Sequence, residues 1–238
     1  SGVPSGRTGF LPTAGLLLQG LLDTFATEQI VISGFGLREG LCFEYLSLAA
    51  KREDPLISTC VGQENTRARV PGFGRELGRW ILDALGPQDA DEERLIRAAC
   101  HLVDVCWRAH PDYRSRSCIE VVTRVNVSGA GHWGRAYMGA MLLNRYKGGR
   151  KATASTPEMG LLSDKERART AAIGAMMRLG CTISGATPGY LKLCPLSLDD
   201  DTLTLSPHGD ADVVMGEEIE KRLTQAAKAF GVSPHIEN

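Results

Sequence analysis

IVISGFGLREG, residues 30–40, is the stretch on which the fold is decided. A short β-branched run enters a glycine-rich turn, and an apolar helical pattern follows. The spacing Gly34-Phe35-Gly36-Leu37-Arg38-Glu39-Gly40 is close to the dinucleotide fingerprint. There, one glycine makes the tight turn, one lets the pyrophosphate approach the backbone and one packs helix on sheet. That reading demands a second strand and an acidic residue about 20 positions on. Instead, Leu41 to Ala50 is apolar at helical spacing, Lys51 to Pro55 reads as a helix stop, and residues 56–120 read as helix after helix. The alternative is a strand-to-helix turn whose glycines solve a backbone problem.

Outward from this turn, the chain divides into three textures. Residues 1–10 read as a loose Gly/Ser/Pro arm, Pro12 to Phe25 as an amphipathic helix, Ile30 to Ser33 as a short buried strand and Leu37 to Ala50 as a helix. The second texture is helical: ELGRWILDAL stopped by Gly86-Pro87, EERLIRAACHLVDVCWRA stopped by His110-Pro111, then SCIEVVTRVN, HWGRAYMGAMLLNRYK and a helix from Lys165 to Leu179. In the third, YLKLCPLSL and LTLSP flank DDDT as a hairpin, and a helix follows from Gly216 to Phe230.

Composition narrows the class. The chain has 238 residues, 43% hydrophobic and 23% charged, with a net charge of −1. Such a balance gives no global attraction for nucleic acid or an anionic membrane, so any polyanion site is local. Cys42, Cys60, Cys100, Cys106, Cys118, Cys181 and Cys194 form no CxxC pair, and reduced, cytoplasmic thiols are expected. The apolar runs are too short to span a bilayer, and SGVPSGRTGF lacks the regions of a signal peptide.

The segments LPTAGLLLQGLLDTF, SGFGLREG and AACHLVDVCWRAHPDYR together resemble the C-terminal half of the exopolyphosphatase / guanosine pentaphosphate phosphohydrolase family. In that family a strand–Ser–glycine–LREG segment, matched by Ser33 and Gly36 to Gly40, closes an actin-like core, and the third segment resembles the first core helix of the helical domain that follows. The resemblance implies a mainly α chain. Residues 1–52 would be an α/β remnant of the actin-like (ribonuclease H-like) lobe, 53–186 an HD-like helical domain and 187–238 a small α+β cap. It implies that the catalytic carboxylates, the phosphate-binding loops and Mg2+ lie in lobes outside this chain. This chain would then hold no catalytic residue, metal or cofactor of its own. Its role would be to bind inorganic polyphosphate or a related phosphoanhydride and to support a homodimer of a cytoplasmic hydrolase; polyphosphate and guanosine pentaphosphate both stay open as substrates. The alternatives from other classes are a non-catalytic helical binding or dimerisation module, and a metal-dependent HD-type phosphohydrolase.

Two sets of residues are candidate sites. HD enzymes need an adjacent His-Asp pair, and here the corresponding dipeptide is Val103-Asp104. His101 and Asp104, with His110 or His132, could still form a divalent site. A hydrogen bond between His101 and Asp104 inside a bundle is the structural alternative, and Val103 favours it. NRYKGGRK places Arg145, Lys147, Arg150 and Lys151 at a helix end, where cations also complement the dipole. RVPGFGRELGR contributes Arg75, with Arg69 and Arg79, and WRAHPDYRSR contributes Arg114, with Arg108 and Arg116. Arg145, Lys147, Arg150, Lys151, Arg75 and Arg114 are the expected polyphosphate-binding residues, because spaced cations suit a linear polyanion.

Overall fold

The structure, a computed structural model, describes residues 4–30, 34–124, 128–147, 157–209 and 215–237. It is mainly helical with a small C-terminal sheet, and it divides into two compact units, Ser1–Lys51 and Arg52–Asn238.

The first unit holds α1 (Ser5–Thr8), α2 (Leu11–Phe25) and α3 (Leu37–Glu44), and α4 (Leu48–Arg52) runs to its end. A single helical turn thus occupies part of the expected loose arm. None of these helices buries a residue, and Leu16 of α2 is 74% exposed. Of the expected strand, Ile30 is exposed and irregular, while Val31, Ile32 and Ser33 lie outside the described residues. The expected helix from Leu37 to Ala50 is broken in two, because the Ser47 hydroxyl accepts the Ala50 N–H and starts a new helix. The glycine turn is a helix cap: the Gly36 N–H donates to the Glu39 carboxylate at 2.7 Å. A donor that a pyrophosphate would require is therefore already used by the motif itself.

The second unit begins with α5 (Pro55–Arg67), α6 (Phe73–Leu85) and α7 (Ala90–His101). It continues through α8 (Pro111–Arg124), α9 (His132–Tyr146) and the long α10 (Asp164–Ser184). Short polar side chains start these helices. Asp54 caps α5 ahead of Pro55, Asp89 caps α7 ahead of three acidic residues, and Ser163 forms a capping box with Glu166 on α10. The core is continuous through Leu56, Phe73, Leu77, Ile96, Met141 and Ile173, all fully buried. Two glycines let helices cross closely. A Cβ on Gly74 of α6 would sit 2.5 Å from the His101 Cα of α7, and one on Gly174 of α10 would sit 2.5 Å from the Met141 carbonyl of α9.

The first of these crossings explains why α7 stops at His101 instead of running to Ala109. Beyond His101 the backbone changes to three-residue turns, with Leu102 donating to Ala99 and Val103 to Cys100. The chain there is held by tertiary bonds, Asp104 to Arg69 and the Trp107 indole N–H to the Arg67 carbonyl at 3.0 Å. Sequence periodicity does not register such bonds.

The cap packs on α10. Strands β1 (Leu196–Leu198) and β2 (Thr202–Leu205) pair antiparallel as the hairpin reading expects, and α11 (Glu217–Phe230) follows. A further strand, β3 (Ser233–Ile236), returns parallel to β2, giving the order β1-β2-β3. Its Pro234 disguises it in sequence, yet an edge strand tolerates proline.

Asp54 also ties α5 to α7: it accepts from Arg94 Nη2 at 2.8 Å, and Arg94 reaches the Gly129 carbonyl at 2.9 Å. The bond from Arg94 holds the Asp54 carboxyl below its ordinary value. Burial pushes Glu92 up, but bonds from Arg169 and Tyr137 outweigh it and leave Glu92 lowered as well. Because both carboxyls titrate lower in the folded chain, their contribution to stability is complete above the ordinary carboxyl range of about 4 and is lost as pH falls through the lowered values. Urea midpoints measured between pH 6 and pH 3 should therefore drop on the acid side, and Arg94→Met should flatten that drop. An equally steep acid limb in the variant would remove Asp54 from the account.

Candidate functional site

Helix α5 carries Leu56, Cys60 and Glu64 on one buried face, four residues apart, so a carboxylate projects into the core. Glu64 Oε1 accepts the N–H groups of Gly72 at 3.0 Å and Gly74 at 2.8 Å, and Oε2 lies 2.5 Å from His101 Nδ1. Asp104 is engaged elsewhere. Its oxygens accept from Arg69 Nε and Nη2, each at 2.9 Å, and from the Arg69 backbone N–H at 3.2 Å. His101 and Asp104 therefore form neither the divalent site nor the hydrogen bond to each other that their spacing allows. His110 is exposed beside Asp112, and His132 is exposed at the start of α9. Among the described residues, no group of three or more His, Cys, Asp or Glu side chains is placed to hold a metal ion.

The basic residues separate into different surroundings. Lys147 is exposed just beyond α9, and Arg150 and Lys151 lie outside the described residues. Arg114 is half-buried, and its Nε donates to the Ala109 carbonyl at 2.9 Å, closing the turn before its own helix. Arg75 stands exposed on α6 at the edge of a cavity between that helix and the segment leading to β1. Arg145 turns inward. Its guanidinium lies 4.0 Å from the centre of the Tyr146 ring, and its Nε is buried with no hydrogen-bond partner among the described residues.

Arg145 is also the middle of a series. It acts electrostatically on Arg69 and on Arg178 of α10, and Arg178 feels Arg222 of α11. Burial, then the like charges of Arg222 and Arg145, push Arg178 below the ordinary guanidinium value. Among the described residues, the carboxylates paired with this seam are Asp104, on Arg69, and Glu218, on Arg222. Asp104 acts on Arg145 as well as on Arg69; Cys181, Tyr146 and Cys118 also lie near Arg145 but could balance it only as anions. The Cys118 thiol is raised by its hydrogen bond to Cys106, then by burial; burial raises the Cys181 thiol and the Tyr146 phenol. At neutral pH all three are uncharged. Among the described residues, four guanidinium groups thus face two carboxylates, an excess of positive charge in a partly dry place, where ions are normally paired.

Sequence reasoning singled out Arg69, Arg75, Arg114 and Arg145, of which Arg69 and Arg145 belong to this series, and did not single out Glu64, Arg178 or Arg222. Glu64 has a legible signal, since it falls on the same four-residue spacing as Leu56 and Cys60. Arg178 has one too, as a single cation in the apolar run AMMRLGC.

A family model described as exopolyphosphatase, C-terminal, matches residues 59–235. That span covers α6 to α11, the series Arg69, Arg145, Arg178 and Arg222, and nearly the whole cap. No curated protein sequence matches the chain.

Glu64 has a direct test. Glu64→Ala would leave two buried N–H groups and the His101 ring without their acceptor, and should cost about 3–5 kcal/mol of unfolding free energy. Glu64→Gln keeps one oxygen for the glycine N–H groups and should cost less. Equal urea midpoints for the two variants would show that the N–H bonds contribute nothing.

Proposed function

The chain belongs to the exopolyphosphatase C-terminal family, and on that premise we propose that it is an accessory region of a phosphoanhydride hydrolase that holds the polyphosphate chain along the seam Arg69–Arg145–Arg178–Arg222. The observation that supports this reading is the charge imbalance at Arg145 and Arg178. A buried positive charge without a counterion is costly, and an anionic chain entering the seam relieves that cost. Guanidinium forks suit phosphoryl oxygens, and they stay charged at any physiological pH. Lys147, exposed just beyond α9, would extend the seam outward, whereas Arg150 and Lys151 lie outside the described residues. Catalytic carboxylates and Mg2+ belong to lobes outside these residues in this reading. Glu64 and Asp104 are not free to hold Mg2+, since they are already engaged by His101, two backbone N–H groups and Arg69.

Titration with long-chain polyphosphate should show binding that weakens strongly with salt, because the Debye length falls from about 10 Å at 0.1 M to about 3 Å at 1 M. Arg178→Met combined with Arg222→Met should reduce affinity about tenfold or more, a loss of roughly 1.4 kcal/mol or greater, with the helical circular dichroism unchanged. Unaltered affinity in a folded variant would dismiss the seam. With Mg2+ or Mn2+ the chain should release no phosphate from polyphosphate, and turnover abolished by His101→Ala would make it an independent hydrolase.

Dimerisation is the second part of the proposal. It is supported by the exposed apolar residues Leu16, Leu17 and Phe25 on α2, a concentration of apolar surface suited to a protein interface. Light scattering should give twice the chain mass at micromolar concentration, and Leu16→Glu with Leu17→Glu should return a monomer. A monomer in the unmodified chain would overturn it.

A further inference from the structure

A cavity of about 430 Å³ lies between α6 and the segment 189–196 that leads into the cap. Its size is within the range of small-molecule sites. Its floor is apolar: Trp80, Leu191 and Leu196 line it, each almost completely buried. Its rim is cationic, with Arg75, Arg79 and Lys192 all exposed. The walls are fixed by specific bonds. Glu76 of α6 accepts the N–H groups of Gly189 and of Leu191, the latter at 2.8 Å, and the Trp80 indole N–H donates to the Cys194 carbonyl at 2.7 Å. Gly189, at φ 102°, makes the turn that brings this segment back over the helix.

Charge pairing is incomplete here. Arg75 and Arg79 are one helical turn apart, a like-charge spacing that disfavours the helix on its own. Arg79 is likewise one turn before Asp83, yet no ion pair to Arg75, Arg79 or Lys192 occurs among the described residues. Glu76 is occupied by the backbone, so Asp83 is the lining carboxylate left to accept a hydrogen bond. The apolar floor offers nothing to a linear polyanion, whose charges would lose water against Trp80 and Leu196 without compensation.

We propose that this cavity is a binding site for a small organic anion with an aromatic body, distinct from the polyphosphate seam. The oxyanion is held by Arg75, Arg79 and Lys192. The ring lies on the floor of Trp80, Leu191 and Leu196, and Asp83 accepts from a donor on that ring where the ligand has one. Three cations on one rim give orientation, and the apolar floor selects against inorganic anions.

The test uses 1-naphthyl phosphate as the probe and the indole N–H resonance of Trp80 as the reporter in the full chain. The chain has three tryptophans, so Trp107→Phe and Trp133→Phe variants identify the Trp80 signal by elimination. The probe should shift that signal saturably. The triple variant Arg75→Ala, Arg79→Ala, Lys192→Ala changes only exposed side chains and should weaken binding about tenfold or more, as should replacing the probe by inorganic phosphate. Arg178→Met should leave probe affinity unchanged whether or not it weakens polyphosphate binding, so the two sites fail independently. A Trp80 signal that does not move, or that titrates identically in the triple variant or with inorganic phosphate, would overturn the proposal.

Discussion

The buried Glu64 carboxylate is the interaction on which the rest of the second unit depends. It gathers the turn after α5, the start of α6 and the end of α7 around a single group. By fixing Gly72 and Gly74 it sets where the 68–72 segment runs, and so it delivers Arg69 to Asp104. Asp104 is then fully occupied. The inward-facing Arg145 shares that carboxylate instead of holding one of its own, and among the described residues the seam keeps an excess of positive charge. A charge placed for structural reasons in one corner thus determines the electrostatics of another. The electrostatic state of Arg145 follows from packing three helices away in sequence, not from its neighbours in the chain.

The two surfaces proposed to bind anions have opposite designs. Along the seam, guanidinium groups lie among polarisable thiols and an aromatic ring, and charge is conserved by keeping those neighbours neutral. At the cavity beside α6, charge sits in water at the rim and the apolar surface lies beneath. The first suits a ligand that is charge throughout, and the second suits a ligand that is charged at one end. Helix α10 connects the regions: it carries Arg178 and packs against both α9 and the cap helix α11.

Much of the architecture was legible in the sequence, because it rests on local signals. Asp54-Pro55 and Gly86-Pro87 announce helix ends through chemistry within a few residues. The hairpin of the cap is equally local. Misreadings occurred where distant contacts overrode the local pattern: α7 ends early because α6 crosses it at Gly74, and β3 forms because β2 offers an edge to Ser233–Ile236. The candidate site was less legible for the same reason. NRYKGGRK shows that Arg145 ends a helix but not that its guanidinium turns inward against Tyr146. HLVD shows His101 and Asp104 on one turn but not that Glu64 and Arg69 take them separately.

The burial of the cysteines has a practical consequence. Cys60, Cys100, Cys106, Cys118, Cys181 and Cys194 are sealed in the second unit, whereas Cys42 is exposed in the first. Burial pushes the Cys60 thiol up to about 12, so even brief solvent contact finds it poorly nucleophilic until the surrounding helices separate. The thiols are therefore a built-in clock for opening of the native state. Cys42 marks zero time, and the later alkylation of each interior cysteine, read by mass, reports the free energy at which its own surroundings open.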